Sequence, residues 1–224
     1  MKVTTKVPTV TASFESLRIS LVELGAKRLI HRAHIKALQR SEINDGTGVV
    51  HRWMQENYAD SMLIGLRRIL DNTKGSFSLI RLLRYVQSNR DFHTVDNFIH
   101  VCESQHGYDD WYARALYARY SSDGCTLDRQ RIKDDIKTVL AGSDGVLRYV
   151  NTVVAHQAAN SNSTTPSTAI TWEDLDRLFD EITGLFNKYY DLVKPGVTSI
   201  SIPCCPQAFI GRSREWSMTI EVTG

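Results

Sequence analysis

Residues 172–194 read WEDLDRLFDEITGLFNKYYDLVK, and their spacing decides the fold class. Leu175, Leu178, Phe179, Ile182, Leu185 and Phe186 recur at intervals of three and four, which places them on one face of a 3.6-residue helix. Thr171 and Asp174 form a Thr-x-x-Asp pattern at the start, in which side chains satisfy the backbone N–H groups that a helix leaves open. Pro195 and Gly196 follow as a stop signal, because proline cannot extend the helical ladder. The stretch predicts a long amphipathic helix that must bury its apolar face against other elements.

The same period recurs upstream. From about Ser13 to Arg40, Phe14, Leu17, Leu21, Leu24, Leu29, Ile35 and Leu38 predict a long first helix. Met54, Tyr58, Met62, Leu66, Ile69 and Leu70 predict a second over about 49–71, after the turn formers INDGTG at 43–48. Shorter helices are expected at about 77–88, 94–103 and 109–121. Leu127 to Ala141 reads as a further helix, which AGSDG at 141–145 interrupts. Ser143 or Asp144 would then cap a new helix carrying Val146, Leu147, Val150, Val153 and Val154. NSNSTTPST at 160–168 reads as an exposed loop. The expectation is an all-α helical bundle in one domain over residues 1–224, with core helices over about 13–194. Residues 195–224, which contain SISIP and WSMTIEV, form an irregular C-terminal extension packed on the bundle.

Composition narrows the function classes. With 224 residues and 42% hydrophobic content, the chain can bury a core without metals or disulfides. The net charge of +2, from 27 Lys and Arg against 25 Asp and Glu, gives no global argument for nucleic acid, so any RNA site needs local clustering. The four cysteines show no CxxC pair and no zinc-like spacing. No metal or cofactor is expected. MKVTTKVPTVTASFESL at 1–17 lacks the apolar run of a signal peptide, and no stretch reaches the roughly 20 apolar residues that span a bilayer. A cytoplasmic chain without a membrane segment is the expectation. Walker A, GxGxxG, GxSxG and HExxH patterns are absent.

The polar residues of LRYVNTVVAHQ at 147–157 are the first site candidates. On an ideal helix, Arg148 and His156 stand ~12 Å apart along the axis and roughly 80° apart around it. Asn151 shares the polar side. Histidine moves protons near neutral pH and arginine can clamp a phosphate through two parallel hydrogen bonds, a combination that suits metal-free RNA cleavage. The competing reading is structural: His156 as a cation at a helix C-terminus and Arg148 as a solvated surface residue.

Three further clusters carry charge or aromatic rings. KRLIHRAHIK at 27–36 reads chiefly as positive charge complementing a helix end, with phosphate binding as the alternative; its histidines lie three apart, and no carboxylate partner is evident for a metal site. In YADSMLIGLRRILD at 58–71, Asp60, Arg67 and Asp71 share a face, and Arg67 can pair with Asp71 one turn on. Arg67 and Arg68 become RNA-binding cations if that helix packs beside His156. DDWYARALYARYSS at 109–122 could offer a stacking surface for single-stranded nucleic acid, but reads more often as core aromatics interleaved with surface cations.

Three motifs carry a family resemblance: NYADSMLIGLRRILD at 57–71, LRYVNTVVAHQ at 147–157 and WEDLDRLFDEITGLFNKYYDLV at 172–193. Together with the order of elements, they resemble the HEPN superfamily, in its branch of abortive-infection proteins of the U type. The resemblance implies an all-α bundle that dimerises, with a basic cleft near the dimer seam. In active members it implies a metal-independent endoribonuclease used in phage defence or as the toxin of a toxin–antitoxin pair. The family signature is an arginine, commonly followed by a polar residue, then four to six residues and a histidine. His156 matches the histidine and Asn151 resembles the polar residue. Arg148 is separated from His156 by seven residues, outside that range, and is followed by Tyr149; Val150 stands where an in-range arginine is expected. The resemblance therefore implies either an RNA-cleaving enzyme with His156 as acid or base and Arg148 as phosphate clamp, or a degenerate helical module for RNA binding, dimerisation or protein interaction.

Overall fold

The helix that opens at Trp172 starts where its capping pattern places it. The Thr171 hydroxyl accepts from the Asp174 backbone N–H at 3.1 Å, and the Asp174 carboxylate accepts from the Thr171 N–H at 3.1 Å, which completes a capping box. The computed structural model describes residues 7–40, 48–73, 78–88, 94–151 and 170–194. Among them lie seven helices: α1 (Val7–Arg40), α2 (Gly48–Leu70), α3 (Leu79–Ser88), α4 (Val95–His106), α5 (Asp110–Tyr117), α6 (Arg129–Tyr149) and α7 (Trp172–Val193). The protein is all-α. The described residues contain no strand beyond one isolated bridge between Thr94 and Thr126. The INDGTG turn is described only at Gly48, while the 160–168 loop and the 195–224 extension lie outside the described residues.

Helix α7 packs against α1, α2 and α6, and runs antiparallel to α1 and α6. Toward α1, Phe186 and Tyr190 pack on Phe14, with ring centroids 5.8 and 6.3 Å away. Toward α6, Asp135 accepts from Lys188 and from the Tyr189 hydroxyl. Leu175, Leu178, Phe179, Ile182 and Phe186 of the predicted apolar face are buried, and Leu185 is half-buried. Helices α1 and α2 pair as a second antiparallel unit, and Gly65 of α2 sits so close to Leu24 that an added Cβ would stand 2.6 Å from a Leu24 methyl. Removing such side chains from water, at ~25 cal/mol per Å² of apolar area, is the main driving force for the bundle.

Two sequence expectations need correction. AGSDG does not break the chain, because α6 continues through it to Tyr149. Each glycine costs only about 1 kcal/mol in a helix, and tertiary packing outweighs that. Ser143 is fully buried with its hydroxyl donating to the Leu140 carbonyl at 3.0 Å, so it caps nothing. An added Cβ on Gly142 would stand 3.0 Å from the Glu181 carboxylate of α7, so the small residue suits a close helix approach. Arg67 and Asp71 also do not form the expected ion pair. Asp71 lies just past the end of α2, where its carboxylate accepts from the Thr73 hydroxyl and backbone N–H. Those bonds, first among the causes, hold its pKa below the ordinary value, with Arg67 contributing only at longer range.

Candidate functional site

The end of α6 presents the candidate residues. Val146 and Val150 are buried and fix the rotation of the helix, so Arg148 and Asn151, three residues apart, emerge exposed on the other side. The backbone passes into a π turn at residues 150–151, an irregularity frequent where helices carry functional groups. The Arg148 side chain is 78% exposed and pairs with Asp144 one turn earlier. An exposed i,i+4 pair of this kind contributes only about 0.3–0.5 kcal/mol, so a phosphate can replace Asp144 with little loss of stability. His156 lies outside the described residues, as do Val153 and Val154.

Arg67 and Arg68 are exposed in the last turn of α2, where positive charge complements the helix dipole. Arg68 borders a groove of about 380 Å³ between α1 and α2, shared with Glu23, Lys27 and Asp60. That groove belongs to the α1–α2 face, whereas Arg148 projects from the end of α6. Helices α2 and α6 touch one another, with Arg67 and Arg68 in the last turn of the one and Arg148 in the last turn of the other.

The cluster at 27–36 turns out to be a seam between helices. Arg28 is buried, and its two terminal nitrogens donate to the Asp180 carboxylate at 2.5 and 3.0 Å. Its Nε stands 2.7 Å from Asp176, which also accepts from Arg32 at 2.5 Å. Burial opposes the Arg28 charge, but Asp180 and Asp176 outweigh it and hold the guanidinium pKa above its ordinary value. Arg28 in turn lowers the pKa of Asp180. Both carboxylates lie on α7, more than 140 residues away in sequence.

Next to this seam, His31 stacks on Tyr58 at 4.0 Å between ring centroids and tilts against Trp172 at 4.9 Å. Burial, and then His34, push the His31 pKa down, against the pull of Asp176. His34 Nε2 and His51 Nδ1 are 3.0 Å apart across the α1–α2 interface. The Nε2 atoms of His31 and His51 are buried without a hydrogen-bond partner among the described residues. Among those residues no three His, Cys, Asp or Glu side chains are grouped to hold a metal ion. No described helix is long and apolar enough to cross a membrane.

Among the described residues, seven helices around an aromatic core make an all-α helical domain. The HEPN_AbiU2 family model, AbiU2, matches residues 14–203, and the chain belongs to that family. The match spans all of α2 to α7, runs through LRYVNTVVAHQ and stops short of residues 204–224. It supports an abortive-infection HEPN-type domain. No curated protein and no solved structure matches the chain.

Proposed function

We propose that the protein is a metal-independent endoribonuclease of the abortive-infection type, acting through His156, Arg148 and Asn151. The observation that carries this reading is the family match through 147–157, combined with the solvent-facing placement of Arg148 and Asn151 at the end of α6. In the proposed step the RNA 2′-oxygen bonds to phosphorus as the bond to the 5′-oxygen breaks. A base removes the 2′-hydroxyl proton and an acid protonates the leaving oxygen. His156 supplies one of these roles, Arg148 stabilises the charge growing on the phosphate, and Asn151 adds a hydrogen bond to it. The protein works in the cytoplasm as a homodimer, with an antitoxin as its natural partner. Incubation of the full chain with RNA in EDTA tests the chemistry: products ending in 2′,3′-cyclic phosphate and 5′-hydroxyl support it, and intact RNA overturns it.

A second reading follows from the seven residues between Arg148 and His156 and from the capture of Arg148 by Asp144. In that reading the chain has kept the HEPN scaffold for binding RNA or a protein and has lost catalysis. RNA binding without cleavage is its signature.

A further inference from the structure

The α6 face that ends in Arg148 and Asn151 begins in an open cleft. Its volume is about 1010 Å³, and it lies between α3 and α6. Ile136 and Leu140 give it an apolar floor, while Arg84, Lys133 and Lys137 stand at its edges. All three cations are exposed, and among the described residues none of them is ion-paired. Among the described residues the one acid lining the cleft, Asp144, is already paired with Arg148. Lys133, Lys137, Asp144, Arg148 and Asn151 follow at intervals of four, seven, four and three residues, so they keep one face of the helix. At 1.5 Å per residue, Lys133 to Arg148 covers ~22 Å of that face.

We infer that this cleft is a track for single-stranded RNA, which Arg84, Lys133 and Lys137 hold by its phosphates and deliver to Arg148 and Asn151. The inference rests on the RNA-acting reading above and assigns it a binding path. Several features favour a polymer over a small molecule. Ligand pockets are mostly enclosed and about 300–1,000 Å³, whereas this cleft is open and continues along the helix. Positive edges over an apolar floor suit a phosphate backbone whose bases rest on nonpolar surface. The cations are placed singly along the cleft, matching a repeating anion.

The test uses the full chain carrying His156→Ala, so that the probe survives, and a fluorescein-labelled single-stranded RNA in EDTA. Binding is followed by anisotropy across a salt series. Arg84→Ala, Lys133→Ala and Lys137→Ala together are expected to weaken binding at least about tenfold, because each removes a phosphate contact. The slope of log K against log salt should fall by about 2, three contacts at about 0.7 each. An equal loss of charge at the exposed Lys36, Arg52 and Arg119 controls for overall electrostatics and should change binding much less. If the parent binds RNA and the cleft variant binds as tightly with the same slope, the cleft assignment is wrong while the RNA reading stands. The cleft assignment is equally wrong if only Arg67→Ala/Arg68→Ala weakens binding. If the parent does not bind RNA at all, both readings fall. A single Lys137→Glu, at an exposed position, gives the same ordering should the triple variant fold poorly.

Discussion

Arg148 is held by Asp144, one turn back on α6, in an ion pair that faces solvent. The residue proposed to clamp phosphate therefore has a resident carboxylate to displace. Asp144→Asn is expected to remove this competing carboxylate and to tighten RNA binding several-fold. Arg148→Ala should lower cleavage by about 10²–10³, the usual cost of one charge-stabilising donor. Because the pair is exposed, both variants should keep their unfolding free energy within about 0.5 kcal/mol of wild type. Single-turnover cleavage and thermal unfolding on the same samples check this. Unchanged cleavage in Arg148→Ala removes Arg148 from the site.

Arg28 makes the opposite case, since it is buried and joins α1 to α7 through Asp180 and Asp176. Arg28→Ala leaves Asp180 without its cation and Asp176 with Arg32 alone, and the loss is expected to be about 2 kcal/mol. That is below the full cost of breaking a buried pair, because the Asp180 side chain is 63% exposed and water can solvate it. Arg28→Lys should restore less than half of the loss, since an ammonium cannot reproduce the fork. Chemical denaturation gives both values; a neutral Arg28→Ala refutes the seam.

Two glycine-to-alanine substitutions should act with opposite signs. At Gly65 the new methyl would meet Leu24 at 2.6 and 2.9 Å, and Leu24 is itself buried. Overpacking there should cost about 1–3 kcal/mol, more than the helix-propensity gain. At Gly142 the nearest atom is the end of the exposed Glu181 side chain at 3.0 Å, which can swing away. Gly142→Ala should therefore stabilise by up to about 1 kcal/mol. Unfolding midpoints of the two variants moving in the same direction would contradict this packing.

Stability should fall with acidification in two stages. Burial first, then His34, depress the His31 pKa below 6.5, so the unfolded chain binds that proton more readily than the fold does. The contribution of His31 is fully present above 6.5 and declines as pH falls below it. Lys194, then Tyr190, hold Glu15 down to about 2 from an ordinary 4.5, so its contribution persists to about 4.5 and is lost between there and about 2. His31→Gln should flatten the first stage, and Glu15→Gln should reduce the second, to which Asp71 and Asp180 also contribute. Unfolding free energies measured across pH 3–8 decide, and a variant that keeps its stage undiminished unassigns the residue.

The helices are legible in the sequence because local period and capping chemistry survive there: the Thr171 and Asp174 box and the Phe14 to Leu38 stripe need no distant partner to be read. Helix α6 is not, since AGSDG looks like a breaker until α7 is packed against it and Ser143 is buried. The role of KRLIHRAHIK stays hidden for a related reason. Arg28 and Arg32 meet Asp180 and Asp176, and nothing at 27–36 points to those positions. The cleft cations leave a partial signal, because Lys133 and Lys137 keep the period of Arg148, but Arg84 joins them only through the packing of α3 on α6. The family resemblance locates the motif at 147–157, where His156 lies beyond the described residues.

His156 is therefore the residue on which the proposed chemistry turns. Wild-type protein and His156→Ala, both shown to be folded, are incubated with RNA in EDTA and their cleavage rates compared. A ribonuclease working through His156 cleaves as wild type and loses cleavage in His156→Ala. Equal cleavage by the two proteins would contradict that chemistry.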